Sequence, residues 1–321
     1  MLNFRTDLAD ERRSIYRKAN QLEEEINGIE AEEKKINDNM KVAKVRITNH
    51  EGEQAIGKPI GTYVTIDVKN LKIAEEEELK EAADVVSKEL HDLISSFVGK
   101  QDDILVVGLG NEAVTADALG PKVVEKTEVT RHILKYIPEY AEEGTRPVSA
   151  IAPGVLGTTG IETLEILQGI VEKVKPKLLI VIDSLASRSI DRISSTIQLA
   201  DTGIVPGAGV GNKRKELSKN TLGIPVIAIG IPTVVEAATI AADSIDLMLE
   251  KLENGMQEQK GSEGLEKVKE AMTQLMGEDK YGLIKEVLAP EEYNFIVTPK
   301  EIDDLIKNMS NVVARGINMA V

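Results

Sequence analysis

Apolar and polar positions along this chain follow two regimes, and the change between them falls near residue 100. Beyond it come continuous apolar runs at 103–108 (DILVVG), 178–182 (LLIVI) and 225–229 (PVIAI), each followed by glycine or polar residues. Short apolar runs bounded in this way read as strands buried on both faces. Residues 148–152 make a further strand, and 117–130, 160–174 and 233–252 carry helical spacing. Strands of this kind alternating with helices predict an α/β fold, with βαβ units around a mostly parallel sheet flanked by helices.

Before residue 100 the pattern differs. Residues 41–50 and 60–68 alternate as half-buried strands with a loop over 51–59, and 75–97 is helical. Ile15, Ala19, Leu22, Ile26 and Ile29 recur at heptad-like spacing, which predicts one long helix over 8–36 with Glu23, Glu24 and Glu25 on its solvated face. Near the other end, 253–263 (ENGMQEQKGSE) reads as a mobile loop. Thr298, Pro299 and Glu301 read as cap, first helical residue and capping-box partner of the last helix.

Composition narrows the classes. Of 321 residues 42% are hydrophobic, enough for a sizeable core, but only 3% are aromatic, so Ile, Val, Leu and Ala must build it. The absence of cysteine removes disulfides, thiolate metal sites and a cysteine nucleophile. The N-terminal MLNFRTDLADERR lacks the apolar stretch of a signal peptide, and no apolar run reaches a membrane span. A net charge of −15 opposes direct nucleic-acid binding.

In an open α/β sheet, chemistry gathers at the carboxyl ends of the strands. Here those ends run into GLGN at 108–111 and TADALGP at 115–121, APG at 152–154, DSLASR at 183–188, PGAGVGN at 206–212 and GIPT at 230–233. The segment GLGNEA fits a dinucleotide fingerprint poorly, because Pro121 lies where the helix should run and no acidic residue is placed for ribose. His50, His91 and His132 fall in no zinc-binding spacing, and Ser184 and Ser187 lack a nucleophile-elbow motif. This leaves Asp117 and Asp183. A carboxylate following five apolar residues is desolvated, and two such groups together would share a proton, one acting as acid and one as base on water. The plainer alternative makes Asp117 a helix cap and Asp183 a turn former. Asn111, Thr115, Arg188 and Asn212 lie in the same loops as candidate polar support, with Arg188 alternatively pairing Asp191 or Glu162. With no cysteine and no histidine at ligand spacing, catalysis is expected to need no metal or other cofactor.

The stretches GLGNEAVTADALGPKVVEKTEVTRHI (108–133), APGVLGTTGIET (152–163), IDSLASRSIDRISSTIQLADTGIVPGAGVGNKR (182–214) and LGIPVIAIGIPTVVEA (222–237) resemble the germination protease family of endospore-forming bacteria. RTDLA at 5–9 also matches; residues 30–95 and the termini match more weakly. The family usually has TPDALGP, IDALAS and PGSGVGN, where this chain has Ala116, Ser184 and Ala208; none of these departures touches a carboxylate. The resemblance implies an endopeptidase dependent on two aspartates, here Asp117 and Asp183, on a fold similar to hydrogenase maturation peptidases with an added N-terminal helix and strands. It implies small acid-soluble spore proteins as substrates, a homotetramer, and a place in the forespore and spore core. It also implies an inactive precursor that removes its own N-terminus. Thr6-Asp7-Leu8-Ala9 resembles the family's cleavage site with Asp in place of Glu, so a propeptide of residues 1–7, a cut between Asp7 and Leu8 and one peptidase domain over 8–321 are expected. The segment before the cut reads as a flexible arm; Asp7 reads otherwise as the N-cap of the first helix. Two other classes stay open: a metal-assisted peptidase using the same aspartates, and a non-enzymatic binding protein.

Overall fold

The structure, a computed structural model, describes residues 6–69, 71, 74–207, 214–258, 280–288 and 295–321. Among the described residues nine strands form one sheet: β1 (Ile29–Lys35), β2 (Met40–Ile47), β3 (Gly61–Val68), β4 (Ile104–Gly108), β5 (Val148–Ile151), β6 (Leu178–Ser187), β7 (Thr196–Ala200), β8 (Val226–Glu236) and β9 (Ile296–Val297). Their order is β1-β2-β3-β7-β8-β6-β4-β5, with β9 on the far end of β8. The α/β class is as expected, but the sheet is mixed. Strands β5, β4, β6 and β8 are parallel, and every other pairing is antiparallel.

The apolar runs work as their pattern predicts. Ile104 and Val106 face one layer, Leu105 and Val107 the other, and all four are buried. The first layer holds helix Glu76–Ser95, helix Leu119–Glu125 and the C-terminal helix Ile302–Ala320. The second holds helix Thr163–Val174 beside the parallel strands, with helices Ala9–Ala19 and His50–Ile56 beside the antiparallel ones.

Several expectations are corrected. The single helix over 8–36 does not exist: helix Ala9–Ala19 ends, Gln21 turns with φ +50°, and Ile29–Lys35 becomes edge strand β1. Ile26 and Ile29 do reach a core, but as part of the β2–β3 layer rather than along a helical seam. The charged pattern of β1, exposed after Ile29, suits an edge that discourages further pairing. The loop over 51–59 contains helix His50–Ile56, capped by the Asn49 side chain on the Gly52 N–H. The helix expected over 117–130 is confined to Leu119–Glu125, and a separate helix, Arg131–Tyr136, begins beyond its expected end. Residues 253–258 continue helix Ala237–Glu258, and 259–263 lie outside the described residues. The last helix starts at Ile302, three residues later than the cap signal, and Thr298 Oγ1 donates instead to Thr233 O at 2.9 Å.

Candidate active site

Strand β4 ends at Gly108, and the chain folds back over that end. A Cβ on Gly108 would lie 2.1 Å from Gly120 O, so the strand end and the start of helix Leu119–Glu125 touch backbone to backbone. Gly110 has φ +115°, and a Cβ there would lie 1.9 Å from Asp117 O. This contact seats Asp117, the last residue of a 3-10 turn, where its Oδ2 accepts the Asn111 N–H at 2.8 Å. Asp117 is therefore not a helix cap; the capping position is Ala118. Asp183 is not a turn residue either. It lies inside β6, 5% exposed, with Oδ1 accepting the Ser184 N–H at 2.9 Å.

Asp117 and Asp183 line one cavity of about 400 Å³, and a third carboxylate, Asp7, joins them. The N-terminal segment is no loose arm where it is described. Thr6, Leu8 and Ala9 are buried, the Asp7 N–H donates to Ala186 O at 3.1 Å, and the Ala186 N–H donates to Asp7 Oδ2 at 3.1 Å. Asp7 does not cap the first helix, whose N-cap is Leu8. Asp7 also borders a second cavity of about 190 Å³, lined by Arg12, Lys58 and Gln198 among others. Burial lowers the Lys58 pKa to about 8, Asp7 acting to raise it and Arg12 to lower it.

The two central acids differ electrostatically. Burial, then the charges of Asp117 and Asp7, push the Asp183 pKa well above the usual carboxyl range, and the backbone N–H groups of Ser184 and Gly207 only partly offset this. Burial also raises Asp117, but the Asn111 N–H and the Arg214 charge pull it back. Arg214 lines the same cavity, 3.7 Å from Glu162. The arrangement favours a proton on Asp183 and a negative charge on Asp117.

This has a consequence for stability. A carboxyl whose pKa is higher folded than unfolded favours the native state while protonated. That stability is lost as pH rises from the unfolded value through the folded one. Asp183→Asn, neutral throughout, is expected to raise the melting temperature at pH 7 and to give progressively less gain toward pH 4. Thermal unfolding of both chains across that range checks it.

The polar residues singled out in the loops are dispersed. Asn111 contributes its backbone N–H, while its side chain accepts from the Ala113 N–H. Thr115 begins the 3-10 turn but is not among the residues lining the cavity. Arg188 donates to Asp243 Oδ1 at 2.8 Å, rather than pairing with Asp191 or Glu162. Asn212 lies outside the described residues. Sequence reasoning missed Arg214, although it ends one of the family stretches, and missed Asp7 as a wall of the cavity. Ser184 Oγ and Thr233 Oγ1 are buried without a hydrogen-bond partner among the described residues, and both residues line the cavity.

The fold and site together define an α/β protein with a carboxylate-lined cleft at the ends of its parallel strands. The germination protease family model matches residues 6–270 and 263–321. Germination proteases of Clostridium perfringens, Clostridium acetobutylicum and a Geobacillus species are 48%, 46% and 44% identical to this chain. Each covers all of this chain, which in turn covers 96%, 96% and 94% of them. A NiFe hydrogenase maturation protease, HycI from Thermococcus kodakarensis, aligns at 21% identity and a TM-score of 0.29, over 45% of this chain and 80% of its own. This chain belongs to the germination protease family and is thus a peptidase by family. Among the described residues no helix is long and apolar enough to cross a membrane.

Proposed function

We infer that this chain is an aspartate-dependent endopeptidase, made as a precursor that cuts itself between Asp7 and Leu8 and then begins the degradation of small acid-soluble spore proteins at germination. The observation that carries this reading is the convergence of Asp117, Asp183 and the segment around Asp7 on one cavity. In the proposed reaction Asp117 takes a proton from water as the water oxygen bonds to the carbonyl carbon. Asp183 gives its proton to the leaving nitrogen as the C–N bond breaks. Hydrolysis leaves a new carboxylate on residue 7 and a new amine on Leu8. The family resemblance further supports work in the forespore and spore core as a homotetramer, with protein rather than nucleic acid as partner.

Acid promotes the first cut in this reading. Asp7, Asp117 and Asp183 crowd one site, with Glu162 nearby, and among the described residues Arg214, Arg12 and Lys58 are the cations lining the two cavities they border. Protonating part of the carboxylate cluster relieves repulsion, so the acids can approach the bond before Leu8. Mild acid incubation followed by N-terminal sequencing is expected to reveal a terminus at Leu8 in wild type and none in Asp183→Asn. The same terminus in both would point to an outside protease. Activity that persists after exhaustive chelation separates this mechanism from a metal-assisted one.

A further inference from the structure

Gln198 lies within the family stretch at 182–214 but was not among the candidate site residues, yet it shares a row with Asp183. Asp183 pairs with Gly230 across β6 and β8, and Gly230 pairs with Gln198 across β8 and β7. Paired residues on neighbouring strands project to the same face. Their sequence neighbours Ile182, Ile229, Ile231, Ile197 and Leu199 all enter the core on the opposite face. The middle position of the row is glycine, where a Cβ would come 2.3 Å from the Leu185 side chain. The row thus carries a carboxylate, a glycine over which the Leu185 side chain packs, and an amide.

Residues 7–9 meet this amide at both ends. Gln198 Nε2 donates to Asp7 O at 3.1 Å, and Gln198 Oε1 accepts the Ala9 N–H at 2.8 Å. The second bond fixes the amide, because flipping it would set a donor against the Ala9 donor. Gln198 is 7% exposed, and Leu8 between its two contacts is fully buried. The oxygen that Gln198 holds is the carbonyl oxygen of the bond proposed to be cut.

We propose that Gln198 is a catalytic residue of this peptidase, donating to the carbonyl oxygen of the residue before the cut and orienting the chain through the N–H two residues after that residue. The inference rests on the proposed cleavage between Asp7 and Leu8. When water adds to the carbonyl carbon, the C=O electron pair moves onto that oxygen, and the Nε2–H donor is already in place to stabilise it. Collapse restores the C=O bond and expels the Leu8 nitrogen with the Asp183 proton. A neutral amide suits this position: a lysine or arginine there would favour ionised Asp183 and strip it of the proton it must deliver.

Self-release of residues 1–7 is unimolecular, so its rate constant reads the chemical step without a KM. The test follows that release by mass spectrometry in full-length wild type, Gln198→Glu and Gln198→Met across the acid to neutral range. Both variants are expected to release the segment about 100-fold or more slowly near neutrality, as for loss of one donor to an oxyanion. Toward acid, Gln198→Glu is expected to regain rate relative to Gln198→Met, because its protonated carboxyl donates an O–H where the thioether cannot. Release at the wild-type rate or faster in both variants would make Gln198 a mere tether and overturn the proposal. A constant ratio between the variants across pH would overturn it too. Failure of wild type to release any terminus at Leu8 would instead sink the self-cleavage reading, and this inference with it.

Discussion

Asp183→Asn and Asp117→Asn are each expected to lower the rate of peptide hydrolysis by at least roughly a thousandfold, because acids that work as a unit lose most of their effect when either is removed. The two losses should differ in kind. Asn at 183 keeps an oxygen for the Ser184 N–H but has no acid proton for a leaving nitrogen. Asn at 117 keeps an acceptor for the Asn111 N–H but cannot take a proton from water. Neither change removes buried apolar contact, so the fold should survive, and the Asp183 variant should be more stable at neutral pH. Cleavage of a small acid-soluble spore protein, measured beside thermal unfolding, separates lost chemistry from lost structure. Wild-type turnover in Asp183→Asn with an intact fold would remove the dyad from the mechanism.

Gly110→Ala is expected to cost about 3 kcal/mol or more of stability and to abolish activity with it, through strain at a special backbone conformation compounded by a clash. The φ of +115° is one that side-chain-bearing residues rarely adopt, and the added carbon would meet Asp117 O at 1.9 Å and Asp117 Oδ1 at 3.1 Å. The contact is with backbone, so no rotamer change relieves it, and the 3-10 turn carrying Asp117 must move. Gly144 is the internal control: its φ is also positive, at +88°, but nothing lies within 4 Å of its Cβ position. Gly144→Ala should therefore show only conformational strain and keep its activity. Denaturant unfolding and the cleavage assay on the two variants check both statements. Equal loss of activity in both would mean that the close approach at Gly110 does not seat the acid.

Much of this was legible in the chain. Continuous apolar runs can be satisfied only by burial on both faces, so β4, β6 and the start of β8 followed from composition and length alone. The polar residues after those runs read as strand ends, which singled out Asp117 and Asp183, although β6 continues through Asp183 to Ser187 because it stays paired with β8. The family stretches at 108–133, 152–163, 182–214 and 222–237 are together long enough to carry the family resemblance. Periodicity was weaker evidence where two structures share it. The spacing from Ile15 to Ile29 fits a helical seam, but the chain gains more by burying Ile26 and Ile29 against β2 and β3 while β1 pairs along β2.

By itself, then, the sequence determined the α/β class and the family and singled out two candidate acids, because each rests on local pattern or on contiguous motif. Tertiary structure decided which other groups reach those acids. Asp7 meets Ala186 across 179 residues, and Gln198 meets Ala9 across 189. Such contacts depend on strand order, and the order β7-β8-β6 sets a strand from the antiparallel half beside the parallel half. TIQLA at 196–200 reads as an unremarkable part of a longer motif until β3 and β8 flank it. The electrostatic difference between Asp117 and Asp183 is likewise invisible in one dimension. It arises because one carboxyl is sealed inside a strand between two other acids, while the other lies at a half-buried turn within reach of Arg214.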